Sequence, residues 1–582
     1  MARQLERFEN LITLFLARAR DKGERPFLWA KRDGAWQSIS WAQAAQQVAA
    51  LAASLKGIGL HPGDRVCLVS ENRPEWLIAD LGIMAAGCVT VPTYTTNTTR
   101  DHAHVLGDSG ARAVIVSNQK LAKNLIPAVL TSADCHHVIA MEALRTGQAP
   151  DWVTCHSWSK LVSGDGDVEA LRGQMEGVAR HDLACIIYTS GTGGAPRGVM
   201  QHHGALLHNI AGATDVISTD FGWGDEVFLS FLPASHALEH TGGQLFPIGL
   251  GAEIYYAESL EKLAANIEET RPTIMIVVPR LFEMLRTRIL KSLEGSSGLS
   301  RYLFRRALTI GSDKYERRLR PWNRPMDGLL EVTLRRKLRA KFGGRTKAWV
   351  SGGAPLNPDV GIFFQSLGIT FLQGYGQTEA GPVISCNRPR AGIRLDTVGP
   401  PLKDTEVRIA EDGEIMVRGE LVMHGYWRNA EETARVLTDD GWLATGDVGH
   451  FDDSNRIVIT DRKKDLIVND KGDNVSPQRI EGMLTLQPEI AQAMVYGDGR
   501  PHLVALLVPD PEVAALPDLQ RRVQGALDRV NADLSVIERV RRFVLAGEPF
   551  SIENEQLTPS MKIRRHVISK VYGERLDALF HR

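Results

Sequence analysis

Tyr188-Thr-Ser-Gly-Thr-Gly-Gly-Ala-Pro-Arg-Gly-Val199 is a Ser/Thr/Gly-rich stretch set directly after the apolar run Ala184-Cys-Ile-Ile187. A β-branched run followed by such a stretch reads as a strand entering a loop. Gly191, Gly193 and Gly194 permit backbone angles that turn successive N–H groups inward. Thr189, Ser190 and Thr192 add hydroxyl donors, and Arg197 adds a fixed positive charge. Convergent neutral donors with one cation suit a polyphosphate. The Walker pattern fails, because Val199-Met200 stands where Lys-Ser/Thr is required after Gly193 and Gly198.

Working outward, short apolar strands alternate with helical stretches. Val66–Val69, a helix over 74–84 and Cys88–Val91 form one strand–helix–strand unit. Further strands are expected at Ala113–Val116, Ile254–Tyr256, Ile274–Val278 and Ala348–Val350, with helices over 260–270 and 281–292 between them. That alternation predicts α/β architecture with doubly wound sheets. Between about 397 and 460 hairpin signals take over, with turns at Asp412-Gly413 and Asp439-Asp440-Gly441, so a β-rich subdomain is expected. Strands near 492–496, 503–508 and 541–545 around a helix near 517–532 complete a small mixed α+β segment. Charged residues break the apolar pattern at Asp461-Arg-Lys-Lys-Asp465. The expected division is a large domain over 1–461 and a small mobile one over 462–582.

At 582 residues the chain exceeds what one core usually supports. The net charge of −1 gives no support to nucleic-acid binding, and no run reaches the length of a membrane span. The short apolar stretch Leu11–Ala17 does not read as a signal peptide. Six scattered cysteines without a Cys-x-x-Cys pair favour a reducing compartment and disfavour zinc. A cytoplasmic protein is expected. Residues 301–347 stand apart, with fifteen Arg/Lys against four Asp/Glu. They read as a solvated helical face, as a contact with the anionic inner face of a membrane, or as a self-association surface such as that of a homodimer.

The order Tyr-Thr-Ser-Gly-Thr-x-Gly-x-Pro-Arg-Gly resembles the phosphate loop of the AMP-forming adenylating superfamily, which includes acyl-CoA synthetases, peptide-synthetase adenylation domains and luciferases. Other segments match in order: Ser351-Gly-Gly-Ala-Pro355, Gln373-Gly-Tyr-Gly-Gln-Thr-Glu379, Asp440-Gly-Trp-Leu-Ala-Thr-Gly-Asp447, Thr460-Asp-Arg-Lys-Lys-Asp465 and Leu557-Thr-Pro-Ser-Met-Lys-Ile-Arg-Arg565. The resemblance thus spans nearly the whole chain. It implies that Gly353, Ala354 and Pro355 lie against adenine, with Gly374, Tyr375 and Gly376 beside it. It implies that Thr378 donates to a phosphate and that Glu379, with Thr189, holds Mg²⁺. Asp447 and Arg462 would bind the ribose hydroxyls. Lys562 would stabilise charge developing on the transferring phosphate, and Lys464 would be a hinge that lets the small domain rotate to admit coenzyme A.

Three features lean toward the long-chain fatty acyl-CoA synthetases: the 440–468 region, the Phe228-Leu-Ser-Phe-Leu-Pro-Ala-Ser-His236 loop, and a basic insert at about 295–345. His236 would border the acyl and CoA sites, and Phe231, Gly352, Leu372 and Gly374 would wall an acyl tunnel. The implied reaction joins a medium- to long-chain fatty acid to coenzyme A using ATP. Departures occur at Gly193 and His202, where the family usually has Thr, and at Arg197, where it usually has Lys. Alternatives are a fatty acyl-AMP ligase loading a carrier protein, an aryl-CoA ligase, and a non-catalytic lipid-binding protein at a membrane. A dinucleotide oxidoreductase is disfavoured by the lack of a strand-associated Gly-x-Gly-x-x-Gly with a suitable acidic partner.

Overall fold

The computed structural model describes residues 8–145, 152–164, 166–189, 195–471, 473–558 and 562–581. Two large sheets dominate. One runs, in spatial order, Thr154–Ser157, His137–Ala140, Ala113–Val116, Arg65–Val69, Val89–Pro92, Leu183–Thr189 and Arg197–His202. All its neighbours are parallel except the last pair, where Thr189 faces Arg197 in antiparallel register. The other sheet has eight strands, with Val227–Ser230, Ile274–Val277, Ala348–Ser351 and Phe371–Tyr375 at its parallel centre.

One apolar cluster joins the two sheets. Val66 and Ile187 from the first and Phe228, Ile254 and Ile274 from the second meet across the helices Leu11–Lys22, Trp41–Gly57 and Pro74–Ala85. In the last of these every residue except Glu75 is buried. A helix buried on all sides, its one fully buried carboxylate Asp80 lying 2.9 Å from His240 Nε2, has no solvent face to offer and packs as an inner layer.

Several strands went unread in the sequence, among them Pro26–Arg32 and Ala35–Ser40. Pro26–Arg32 pairs antiparallel with Ala35–Ser40 and parallel with Glu253–Tyr256 at the far edge of the second sheet. Their turn, Asp33-Gly34, has both residues at positive φ (52° and 78°), the backbone that tight hairpins require. That dipeptide was the available signal. The strand Phe371–Tyr375 carries the first three residues of the Gln373–Glu379 motif, so Gln373, Gly374 and Tyr375 are held in the second sheet.

The hairpin region is a four-stranded antiparallel sheet of Glu406–Ile409, Glu414–Arg418, Leu443–Phe451 and Ile457–Arg462. Its apolar face packs on Val199 and Tyr375, which ties it to both larger sheets. Farther along, Ile490–Tyr496, Leu503–Pro509 and Val540–Leu545 form a three-stranded sheet. Leu503, Ala505 and Leu507 face one cluster with helices Pro477–Thr485 and Leu519–Ala532; Val504, Leu506 and Val508 face another with helix Arg565–Asp577. Burial on both faces explains why that strand is an unbroken apolar run. The fold is α/β, with two doubly wound units and a β-rich unit in a large N-terminal part, followed by a small α+β part.

Candidate active site

Thr189 and Arg197 are register partners on adjacent antiparallel strands; Ser190, Gly191, Thr192, Gly193 and Gly194 lie outside the described residues. Arg197 leaves the strand and meets a carboxylate at once. Its guanidinium pairs with Glu432, and its Cζ lies 4.5 Å from the centroid of the Tyr426 ring. The Tyr426 hydroxyl in turn donates to Glu379 Oε1 at 2.9 Å. The fixed positive charge of Arg197 is therefore paired within the protein itself. Sequence reading missed both Tyr426 and Glu432, since a Tyr and a Glu more than 200 residues from Arg197 carry no local sign of that contact.

His202, one of the departures from the family pattern, has a structural role here. Helix His203–Asp220 starts directly after it. With a proton on Nε2 donated to the Val422 carbonyl at 3.2 Å, Nδ1 accepts the Ala205 N–H at 3.2 Å. The ring thus caps the helix as a Thr hydroxyl would.

Asp447 and Arg462 are opposite one another on the neighbouring strands Leu443–Phe451 and Ile457–Arg462, with Arg462 Nε 3.2 Å from Asp447 Oδ1. The second oxygen accepts from the Tyr375 hydroxyl at 2.7 Å. Burial and the Asp447 carboxylate push the Tyr375 phenol well above its ordinary range, so it remains a donor. Burial opposes the charge of Arg462, but Asp447, Asp465 and Glu379 outweigh it and hold the guanidinium firmly protonated. Tyr375, Asp447 and Arg462 thus form one row, joined by a hydrogen bond and an ion pair.

Glycines let the backbone reach this row. Gly376 accepts no side chain, because a Cβ there would lie 1.8 Å from the Pro382 carbonyl oxygen. Gly353 sits at φ 81°, a left-handed angle that lets the chain turn from the Ala348–Ser351 strand into Ala354 and Pro355. Thr378 opens the short turn Thr378–Ala380, and its carbonyl accepts from Gln201 Nε2.

Lys562 enters from the C-terminal part. Leu557 and Ile563 bridge, the Thr558 N–H donates to the Lys562 carbonyl at 2.8 Å, and Thr558 Oγ1 accepts the Lys562 N–H at 3.0 Å. Behind it, Arg565 makes two 2.6 Å contacts to Glu481, which lock the following helix to Pro477–Thr485. The Lys562 residue keeps solvent access, yet the surrounding cleft walls desolvate its ammonium, and Arg462 and Lys464 repel it. Its pKa is pushed down to about 8, against the pull of Asp447 and Glu379. Lys464, in the turn after Arg462, is likewise lowered by desolvation and by Arg462. His236 feels burial first and Lys562 second, which push it down to about 4, so its imidazole is neutral at neutral pH. Lys562, Lys464, Arg462, Asp447, Glu379 and His236 thus share one electrostatic neighbourhood.

His236 has a support that sequence reading did not find. Asn72 Nδ2 donates to Ser230 Oγ at 2.8 Å and to the Leu232 carbonyl at 2.5 Å, while its Oδ1 accepts the Ala234 N–H at 3.0 Å. Beyond His236, buried Glu239 accepts from Ser230 Oγ at 2.6 Å, and burial raises its pKa to about 8. Leu238 touches the position a Gly352 Cβ would take, at 3.4 Å, beside the Gly374 carbonyl. Phe231 packs on the neighbouring apolar cluster, and Leu372 is fully buried with Val216, Ala348 and Leu402.

Among the described residues no group of three or more His, Cys, Asp or Glu converges as a metal cage. A single carboxylate, Glu379, fits the other mode, in which Mg²⁺ is held by one or two carboxylates together with substrate phosphates. Around the cleft Lys562, Lys464 and Arg462 face Asp447, Glu379 and Asp465, and of these cations Lys562 has no carboxylate within ion-pair distance among the described residues, which leaves it open to an anionic ligand.

Known proteins resemble the chain over nearly its whole length. The long-chain-fatty-acid–CoA ligase FadD15 of Mycobacterium tuberculosis is 31% identical over 99% of this chain and 97% of its own length. The peroxisomal long chain acyl-CoA synthetase 7 of Arabidopsis thaliana is 30% identical over 94% of this chain and 83% of its own. The A domain of carboxylic acid reductase from Segniliparus rugosus, solved with AMP and a co-purified carboxylic acid, has the same fold: its TM-score is 0.76 at 20% identity, over 98% of this chain and 94% of that one. Residues 464–582 match the model of the AMP-binding enzyme C-terminal domain. Residues 15–427 match that of the AMP-binding enzyme, and the chain belongs to this family.

Proposed function

We propose that this protein activates a medium- to long-chain fatty acid with ATP and transfers the acyl group to coenzyme A. The observation that carries the reading is the delivery of Lys562, an ammonium with no carboxylate partner among the described residues, to the Tyr375–Asp447–Arg462 row beside Glu379. In the first step a carboxylate oxygen attacks the ATP α-phosphorus and the bond to pyrophosphate breaks. Asp447 and Arg462 hold the ribose hydroxyls, and Gly353, Ala354, Pro355, Gly374, Tyr375 and Gly376 flank the adenine. Thr189, Ser190, Gly191, Thr192, Gly193, Gly194, Arg197 and Thr378 are assigned to the phosphates. Lys562 opposes the charge that builds on the α-phosphate and the leaving pyrophosphate. Mg²⁺, held on the phosphates by Glu379 with Thr189 near it, would neutralise further charge there.

The acyl-adenylate is a mixed anhydride and a far better electrophile than the carboxylate. In the second step the CoA sulfur attacks its carbonyl carbon and AMP departs. Residues 1–461 and 462–582 act as two domains, and rotation at Lys464 withdraws Lys562 so that CoA can enter past the neutral His236. The likeness to FadD15 and to acyl-CoA synthetase 7 supports a fatty acid as substrate and CoA as acceptor.

The test uses purified protein, ATP, Mg²⁺, CoA and a graded series of fatty and aryl acids, with AMP and thioester both measured. A fatty-acid chain-length optimum and CoA thioester are expected. Adenylate without thioester, followed by transfer to an acyl-carrier protein, would favour the chemistry named for the Arabidopsis thaliana relative long-chain-fatty-acid–[acyl-carrier-protein] ligase AEE15, which is 28% identical. An optimum on aryl acids would replace the fatty-acid assignment. AMP formation independent of every acid would overturn the reading.

A further inference from the structure

His236 stands in a stretch tied down on both sides by one buried polar network, whose other members take no part in the chemistry above. On the upstream side, Asn72 reaches across from the loop between Arg65–Val69 and Pro74–Ala85 and engages Ser230 Oγ, the Leu232 carbonyl and the Ala234 N–H. Its Oδ1 facing an N–H and its Nδ2 facing a carbonyl require the same amide orientation, so these contacts fix how Asn72 is turned. On the downstream side, Ser230 Oγ donates to Glu239 Oε1 at 2.6 Å. The same hydroxyl accepts from Gln244 Nε2 at 2.9 Å, so its one donor and both lone pairs are filled. Gln244 Nε2 also lies 3.2 Å from Glu239 Oε1, and Gln244 Oε1 accepts from the Tyr256 hydroxyl at 2.9 Å. Ser230, Glu239, Gln244 and Tyr256 are all buried.

The backbone is shaped to close this network. Gln244 is five residues beyond Glu239, a spacing that points the two side chains apart in an ordinary α turn. His240–Leu245 is instead a π turn, and its wider winding swings Gln244 back onto Glu239. Gly243 leaves the room for it, since a Cβ there would lie 2.1 Å from Glu239 Oε1. Burial raises the Glu239 pKa to about 8, so at neutral pH the carboxyl is uncharged and keeps one carbonyl-type acceptor oxygen. The hydrogen bonds all run toward that oxygen, from Tyr256 through Gln244 and from Asn72 through Ser230. No member can turn away without leaving a buried neighbour unpaired, which costs more than the bond itself returns. Between the two ties lie residues 235–238 alone, and there His236 Nδ1 accepts the Leu238 N–H at 3.2 Å.

We infer that Asn72, Ser230 and Glu239 are positioning residues for His236, clamping its loop from both sides so that the imidazole keeps one setting beside the acyl and CoA sites. The inference rests on the proposed function for what His236 borders. A double-mutant cycle on the full chain tests it. Ser230→Ala and Asn72→Ala should each lower kcat for thioester formation roughly tenfold, with the KM for ATP held within about twofold, because the Tyr375–Asp447–Arg462 row is untouched. In a His236→Ala background neither should lower kcat further. Glu239→Gln keeps the acceptor oxygen and should hold kcat within about twofold, whereas Glu239→Leu should lose what Ser230→Ala loses. Independently of turnover, histidine-selective NMR should find His236 titrating near about 4 in the wild type and higher in Ser230→Ala, as water enters the loosened loop. If Asn72→Ala melts low, Ser230→Ala, which deletes a single oxygen, carries the cycle. Losses that add to that of His236→Ala, a KM for ATP that rises as kcat falls, unchanged kcat in both variants, or a His236 titration unmoved by Ser230→Ala would overturn the inference. A wild-type chain that makes no acid-dependent AMP would sink the proposed function instead, and the His236 titration would still decide the positioning.

Discussion

Arg197 and Lys562 bring positive charge to the same cleft in opposite states. Arg197 arrives on the edge strand of the first large sheet and is neutralised by Glu432, with its guanidinium laid over Tyr426. Lys562 arrives on a loop of the C-terminal part and meets Arg462 and Lys464, whose repulsion adds to desolvation and drives its pKa down to about 8. One cation is already compensated; the other is short of negative charge. A ligand phosphate must compete with Glu432 for Arg197, whereas at Lys562 it supplies what the protein withholds. Binding energy at Lys562 is therefore released when phosphate charge appears, which is the condition for favouring a transition state over a ground state.

The contrast can be broken most directly at Lys562. Lys562→Ala should lower fatty-acid-dependent pyrophosphate release by about 100- to 1,000-fold with an unchanged melting temperature. An equal loss in Arg197→Ala would erase the distinction between the two cations. Asp447→Ala should come next. It leaves the Tyr375 hydroxyl and Arg462 without their buried acceptor, so it should cost roughly 2–3 kcal/mol of stability and raise the KM for ATP. Denaturant unfolding and a KM series read the two effects separately.

The pH profile sharpens the comparison. Lys562 carries its proton below about 8 and loses it above. In free enzyme, kcat/KM for ATP should therefore fall as pH rises through about 8, by about tenfold per pH unit once past it. Lys562→Arg should remove that limb from the accessible range, because a guanidinium stays charged. A limb that persists unchanged in Lys562→Arg would assign the titration to another group. The smallest effect is expected at Glu432→Gln. Releasing Arg197 from a partly exposed ion pair should cost under about 1 kcal/mol of stability and lower the KM for ATP about threefold, since the pair need no longer be broken. A raised KM would mean that Glu432 orients Arg197 and does not compete for it.

Much of the architecture was legible because it rests on neighbours in the chain. Short β-branched runs, the Asp412-Gly413 turn and the apolar strand at Leu503–Val508 appear close to where sequence reading put them. The Pro26–Arg32 strand was missed because only two of its residues are buried, so its apolar signal is thin. It is held at the sheet edge by Glu253–Tyr256, more than 200 residues away. The Asp447–Arg462 pair was legible by resemblance, and strand register explains why they meet. Tyr426, Glu432 and Asn72 were not, because each acts through a contact remote in sequence.

From the sequence by itself came the doubly wound α/β class, the order of the motifs, the types of residue offered to a nucleotide and the excess of positive charge over 301–347. Those properties depend on local propensity, residue chemistry and composition. The tertiary structure alone decided that Arg197 is paired, that Lys562 has no carboxylate partner among the described residues, that His236 is neutral and that Trp322 points outward. Each of these depends on which groups lie within a few ångströms in a partly desolvated cleft or are left outside a packed core, and only long-range folding sets those distances.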